Sequence, residues 1–251
     1  MEKSALITGA SSGIGRATAR RFAQQGYGLV LCGRRQDRLE ALKEELGRQV
    51  DVHTLSFDVR SREAVFAAME SLPEAFSKID ILINNAGNAH GLDAIQDGDP
   101  EDWDAMIDIN VKGLLYVSKA VIPQMVARNA GQIINIGSVA AKEVYPNGNV
   151  YCASKHAVDA ITQGMRIDLN AHGIRVGAVH PGLVETGFSE VRFKGNRERA
   201  SQVYQGYQPL TAGDIAELIY FMVSRPPHVN IADLVVLPTA QGSATLVNKE
   251  P

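Results

Sequence analysis

Seven short apolar runs, set apart by longer stretches in which apolar residues return every three or four positions, constrain this chain more than any other feature. The runs are Ala5-Leu6-Ile7, Leu29-Val30-Leu31, Val52-His53-Thr54-Leu55, Ile79-Asp80-Ile81-Leu82-Ile83, Ile133-Ile134-Asn135-Ile136, Val176-Gly177-Ala178-Val179 and Leu234-Val235-Val236-Leu237. Each has strand length. Between them, spacings such as Leu39, Leu42 and Leu46, or Val65, Phe66 and Met69, lay an apolar stripe along a helix. This alternation predicts an α/β fold: a doubly wound parallel sheet with helices on both faces, joined by right-handed crossovers. The chain has 251 residues, 45% of them hydrophobic, enough for one domain with a core and a cofactor-sized cleft. No repeat or linker divides it, so residues 1–251 read as a single domain. Residues of about 186–211, with Gly187, Gly195, Gly206, Pro209 and many charges, form the least regular portion. They are expected to make a mobile substrate lid.

Composition narrows the function. A net charge of −3 supplies no basic footprint for a phosphate backbone, so nucleic acid is not an expected partner. The apolar start is too short for a signal peptide, and no stretch is long enough to span a bilayer, which predicts a cytoplasmic protein without a membrane partner. Cys32 and Cys152 fall inside expected regular elements and read as buried thiols. His53, His90, His156, His172, His180 and His228 show no zinc-ligand spacing, so no metal is expected. Gly137-Ser138 lacks the flanks of a nucleophile elbow.

The first run leads into Thr8-Gly9-Ala10-Ser11-Ser12-Gly13-Ile14-Gly15, and Arg16 to Gln25 then reads as helical. Glycines there permit a tight turn and let backbone approach a pyrophosphate, while the helix start offers free N–H groups. The spacing is Gly-x3-Gly-x-Gly, which departs from the commoner dinucleotide fingerprint. After the second run, where an acidic residue would meet a ribose hydroxyl, stand Arg34 and Arg35. Two guanidinium groups suit a 2′-phosphate and point to NADP(H); the alternative is that they solvate the start of the next helix.

Tyr151 and Lys155 are four apart and share one face of a predicted helix. A phenol with a pKa of about 10 is a poor base at neutral pH. An ammonium at ~4 Å, in an effective dielectric of ~20, contributes roughly 4 kcal/mol, or ~3 pKa units before burial takes some back. Ser138 follows the fifth run, where its hydroxyl can bond a substrate oxygen. Asn110 falls in another predicted helix, where it could anchor a water linked to Lys155. Asn84-Asn85-Ala86-Gly87 follows the fourth run and Asp58-Val59 the third. Trp103 and Tyr116 read as core or interface; Tyr204 and Tyr207 could touch substrate only as any aromatic on a lid could, and are not candidates.

These motifs, in this order and spacing over nearly the whole chain, closely resemble the short-chain dehydrogenase/reductase family. The resemblance implies a Rossmann-type domain with Tyr151 as acid/base, Lys155 lowering its pKa and holding the nicotinamide ribose, Ser138 orienting substrate, and Asn110 completing a proton relay. It further implies that Gly9, Ser11, Ser12, Gly13, Ile14 and Gly15 hold the cofactor with Arg34 and Arg35. Asp58 and Val59 would meet the adenine, Asn85 would line the site, and Pro181, Gly182, Val184 and Thr186 would wrap the nicotinamide. Gly33 to Leu39, Glu101 to Asp108, Pro181 to Thr186, Val191 to Gly195 and His228 to Ile231 are similar to the NADP-dependent serine or 3-hydroxy acid dehydrogenase branch. That implies a small hydroxy acid substrate and a homotetramer. Arg192 and Lys194 then become candidates for a substrate carboxylate, or else solvated charges or subunit contacts. A broad carbonyl or steroid-type reductase and a non-catalytic NADP(H) sensor are the competing readings.

Overall fold

The computed structural model describes residues 3–250. Its first half runs β1 (Ser4–Thr8), α1 (Gly13–Ala23), β2 (Gly28–Gly33), α2 (Gln36–Leu46), β3 (Val52–Ser56), α3 (Arg62–Glu70), β4 (Ile81–Asn84), α4 (Pro100–Ile107) and α5 (Leu114–Arg128). β5 (Gly131–Ile136), α6 (Asn149–Leu169) and β6 (Ile174–Pro181) follow, then β7 (Val184–Glu185), α7 (Phe188–Arg192), α8 (Arg197–Gln202), β8 (Leu210–Thr211), α9 (Ala212–Val223) and β9 (Asp233–Val236). One seven-stranded parallel sheet has the order β3-β2-β1-β4-β5-β6-β9, as the alternation predicts. Every residue of β1, β2 and β4 is buried, because helices cover both faces and leave no side for polar residues. Neighbours on one strand feed opposite layers. Ile7, Leu29 and Ile83 pack with Phe22, Leu39, Ile219 and Met222, whereas Leu6, Val30 and Leu82 pack with Val65, Val117, Val121 and Met125.

The departures from expectation have identifiable physical causes. β4 begins at Ile81 and not at Ile79, because α5 side chains take the Ile79 backbone: Gln124 Oε1 accepts from its N–H at 2.9 Å, and Arg128 donates to its carbonyl at 2.7 Å. β9 spans Asp233–Val236, one residue earlier than the apolar run. The stretch from 186 to 211 holds α7 and α8, and its end pairs with β7 through β8, so it is more regular than its composition suggests. Between α4 and α5, Asp108–Gly113 forms a six-residue π-helical turn in place of plain helix. Gly113 lets this wide turn press onto Val59, whose Cγ2 would lie 2.7 Å from a Cβ there.

The strand order reverses beside β1, which leads outward to β2 and β3 while β4 to β9 run the other way. Loops after β1 and β4 therefore separate and open a crevice at the carboxyl ends of the strands. On the far side of the sheet, Gly177 allows the chain before β9 to lie across β6, since a Cβ there would meet the Ile231 carbonyl oxygen at 2.2 Å. Gly177→Ala is therefore expected to destabilise the fold by about 1–3 kcal/mol, an overpacking cost, and to lower the melting temperature by roughly 2–12 °C. Thermal unfolding followed by circular dichroism checks this, and an unchanged midpoint would refute the tight β6 crossing.

Candidate active site

The turn after β1 owes its shape to glycines with no room for a side chain. Gly9 and Gly13 have φ of +65° and +52°, and a Cβ on Gly15 would lie 2.4 Å from the Gly9 carbonyl oxygen. Asn85 closes the turn from the next loop: its Nδ2 donates to the carbonyls of Thr8 at 2.8 Å and Gly9 at 3.3 Å. Its amide is thus spent on holding the turn. Ser12 precedes α1 without a side-chain capping bond, which leaves the first helix N–H groups facing the crevice. Arg35 instead reaches the loop, donating to Ser11 Oγ and Ser12 Oγ, each at 2.8 Å through Nη2. Arg34 lies further out, 3.8 Å from the Asp58 carboxylate. That carboxylate is also bound by Arg60 at 2.7 Å; burial works against its charge, but the Arg60 bonds prevail and hold its pKa below the usual range. Val59 turns its side chain into the core. At the end of β6, Pro181 and Gly182 lead to Val184, and Thr186 lies over the glycine turn, 3.5 Å from where a Gly13 Cβ would stand.

The proton-transfer candidates converge from three elements. Tyr151 occupies the first turn of α6 and is 8% exposed; Lys155, one turn on, is 6% exposed. Burial pushes the phenol pKa up, the neighbouring Tyr145 adds to this, and the Ser138 hydroxyl and Arg192 pull it back. Burial pushes the Lys155 amine down to about 8. Its Nζ donates to the Ile136 carbonyl at 3.0 Å and stands 5.9 Å from the Tyr151 ring centre. The ammonium therefore braces the end of β5. Ser138, directly after β5, caps a short turn at Val139–Ala141, with Oγ accepting from the Ala140 N–H at 3.1 Å.

Asn110 lies on the π-helical turn and is 2% exposed. Its side chain bonds the Asn88 backbone on both sides, at 2.9 and 2.8 Å, and Ser154 Oγ at 3.0 Å. The amide anticipated as a water anchor is thus engaged with protein, and the site reaches it through Gly87: a Cβ there would be 3.0 Å from Asn110 Oδ1 and 3.5 Å from Lys155 Nζ. The sequence pattern carries no signal for a π turn, because it differs from a helix by one residue of register.

Beside Tyr151 a small cavity is lined by His90, Asp93, Asp102, Trp103, Asn149 and Arg192, among others. Arg192, at the end of α7, places its guanidinium carbon 5.5 Å from the ring centres of both Tyr145 and Tyr151. Its Nε donates to the Gly91 carbonyl at 3.2 Å, and one Nη is buried without a partner. Lys194 departs from the sequence expectation: its ammonium pairs with Asp102 at 3.0 Å and Asp99 at 3.5 Å, so that charge is already neutralised. Tyr204 and Tyr207, which the sequence singles out no more than any other lid aromatic, spend their hydroxyls on the Val184 and Val203 carbonyls. Trp103 packs with the core and lines the cavity besides. Tyr145 was missed, since nothing in its sequence surroundings shows that it shares Arg192 with Tyr151.

Comparison with known proteins fits this geometry. A family model described as short chain dehydrogenase matches residues 3–197. Sulfoacetaldehyde reductase 2 of Chromohalobacter salexigens is 47% identical over 247 residues, 98% of each chain. NADP-dependent 3-hydroxy acid dehydrogenase YdfG of Escherichia coli K12 is 46% identical over 242 residues, 96% of this chain and 97% of its own. Among solved structures, the closed form of serine dehydrogenase complexed with NADP+ superposes with a TM-score of 0.93 at 45% identity, covering 97% of this chain and 98% of that one.

Burial of Lys155 has a consequence for stability. Its pKa falls from 10.5 to about 8 on folding, so between those values the unfolded chain binds more protons, and this group makes stability rise with pH. Below that window the group contributes a constant penalty. The unfolding free energy of the wild type relative to Lys155→Met is expected to grow from pH 8 to pH 10.5. Denaturant melts across that range measure it, and a flat difference would show that the buried amine keeps its proton.

Proposed function

The chain belongs to the short-chain dehydrogenase family, and from that premise we propose that it is an NADP(H)-dependent oxidoreductase acting at the 3-hydroxyl or 3-carbonyl carbon of a small anionic hydroxy acid or aldehyde. The observation that carries this reading is one cavity holding the buried Tyr151 phenol and the orphaned nitrogen of Arg192. The first can exchange a proton with substrate; the second offers an unused charged donor for an anionic group. Relatives named for 3-hydroxy acids, serine and sulfoacetaldehyde support an anionic substrate, carboxylate or sulfonate.

The cradle fits the cofactor. Gly9, Gly13 and Gly15 leave backbone bare where side chains would intrude, and with Ser11, Ser12 and Ile14 they would hold the pyrophosphate against the start of α1. Arg35 stands over that loop on hydroxyl partners only, ready for a 2′-phosphate with Arg34 beside it. Asp58 and Val59 would border the adenine. Asn85 would set the loop, and Pro181, Gly182, Val184 and Thr186 would enclose the nicotinamide end. When bound, the cofactor supplies or accepts the hydride. The protein's part is the proton and the geometry: Tyr151 protonates a carbonyl oxygen in reduction or takes the hydroxyl proton in oxidation, Ser138 orients that oxygen, and Lys155 and Asn110 fix the surrounding backbone.

A reductase for large apolar ketones is disfavoured by the cavity's Asp93, Asp102, His90 and Arg192. A non-catalytic sensor is disfavoured by the presence of both Tyr151 and Lys155. Segment 186–211, which carries Arg192, serves as the substrate lid in this reading. Cytoplasmic residence accompanies it; among the described residues, no helix is long and apolar enough to cross a membrane. A homotetramer is supported by exposed apolar side chains on unpartnered faces, Leu115 on α5, Ile167 on α6, Phe221 on α9 and Val235 on the edge strand β9.

A panel of serine, 3-hydroxypropionate, sulfoacetaldehyde and a neutral secondary alcohol tests the reading with NADP+ or NADPH as direction requires. Tyr151→Phe is expected to lower turnover by roughly 100-fold or more while leaving NADPH affinity nearly unchanged. Substantial residual turnover would assign the proton to another group. For Arg192→Ala, loss of a charged hydrogen bond worth about 1.5–3 kcal/mol is expected to raise KM for the anionic substrates by ~10-fold or more. Equal losses on the neutral alcohol would reject anion recognition.

A further inference from the structure

His180 is fully buried at the end of β6, yet both edges of its ring face oxygen. Nδ1 lies 3.2 Å from the carbonyl oxygen of Ser138. Nε2 lies 3.0 Å from Asp233 Oδ1 on β9 and 3.7 Å from Asp159 Oδ1 on α6, and it has no hydrogen-bond partner. Lys142, after the turn that Ser138 caps, donates from Nζ to Asp233 at 2.7 Å and pairs with Asp159 at 3.1 Å. Asp159, Lys142 and Asp233 are the charged groups that meet the ring. Four elements meet at this one imidazole. The backbone against it is also committed, because a Cβ on Gly137 would stand 2.3 Å from Nδ1.

We propose that His180 is a positioning residue for Ser138: its Nδ1–H holds the Ser138 carbonyl, and the Asp159–Lys142–Asp233 ion cluster closes around the ring. This rests on the reading of Ser138 as the group that orients substrate. A carbonyl only accepts, so Nδ1 carries a proton and gives it to Ser138, which fixes the tautomer. Burial and the Lys142 ammonium resist a second proton on the ring, and the two carboxylates favour it. The Nδ1 bond exists in either state. What the cluster adds is anchorage: the carboxylates and Lys142 hold α6 and β9 against the ring, and the ring holds the peptide whose side chain faces Tyr151. Sequence spacing gives no expectation of a metal, whereas the structure gathers ligand atoms of His180, Asp159 and Asp233 within 4.8 Å of one another. The Lys142 ammonium supplies the cation that the carboxylates require, so the cluster is complete without an ion.

Two variants separate positioning from packing. His180→Phe fills the space and removes the donor; His180→Asn places an amide N–H near the Nδ1 position. For Phe, kcat is expected to fall roughly tenfold while KM and NADPH affinity stay within about twofold, and Asn is expected to restore kcat to within about threefold of wild type. Equal losses in both variants, no loss in either, or a parallel loss of NADPH affinity would overturn the proposal. The carbonyl carbon shift of Ser138, read by NMR on the full chain without substrate, is expected to move in the Phe variant and return in the Asn variant. That measurement stands even if the substrate reading fails, and an unmoved shift overturns the tie. Zinc chloride is expected to leave the wild-type melting temperature unchanged. A rise that disappears in Asp233→Asn would reassign the cluster as metal ligands and overturn its role as an ion-paired anchor.

Discussion

The Asn85 amide crosses the one place where the sheet's chain order reverses, and the rest of the site depends on that crossing. Loops after β1 and β4 diverge, so the glycine turn and the catalytic side of the crevice share no covalent neighbour at this point. Asn85 Nδ2 joins them by taking two carbonyls of the turn, while Thr8 Oγ1 accepts from the N–H groups of Asn85 and Ala86 at 3.0 and 2.9 Å. Each such bond nets only about 1 kcal/mol, but losing one strands buried polar groups at a cost of about 1–3 kcal/mol. The stitch also explains why Gly9 and Gly15 must be bare. The side-chain space of both is filled by Asn85 Nδ2, which would lie 2.8 and 2.5 Å from their Cβ atoms.

One physical cause, burial, moves Tyr151 and Lys155 in opposite directions. It disfavours phenolate and ammonium alike, so the phenol pKa rises and the amine pKa drops to about 8. In water the phenol loses its proton at lower pH than the amine; inside the fold the order reverses. The protein by itself therefore holds Tyr151 as a neutral proton donor, the form needed to protonate a carbonyl oxygen. Proton removal in the oxidative direction needs further positive charge near the phenol, which Arg192 supplies in part and an oxidised nicotinamide would increase.

Legibility followed range. The strands, the glycine turn and the Tyr151–Lys155 face were readable because each depends on neighbours within a few residues and on burial from both sides. Register errors at Ile79 arose from distant groups, Gln124 and Arg128, that no local pattern displays. The same holds for charge: Arg192 and Lys194 are two residues apart and equivalent in sequence, but Lys194 meets acids contributed by α4 and the loop before it, while Arg192 meets rings from α6 and the loop before it. The short Lys155 spacing gave the face correctly and the partner incompletely, since the Ile136 carbonyl belongs to another element.

Buried polar atoms left without partners sort by what surrounds them. Asn84 Oδ1 is one, but the same side chain gives its Nδ2 to Ser118 and Asn135, and Asn135 continues to Thr162, so a network crossing the core holds it. Arg192 Nη2 has no such continuation; it is buried beside two tyrosine rings on a side chain that lines a cavity, and only its Nε is held by backbone. Without a hydrogen-bond acceptor, a buried guanidinium nitrogen carries a desolvation cost, which the two neighbouring rings offset only in part. An anionic group bound there would remove the cost at the moment of binding, and a neutral alcohol would leave it standing. In the proposed reading, discrimination then comes from the penalty for the wrong ligand as much as from attraction to the right one.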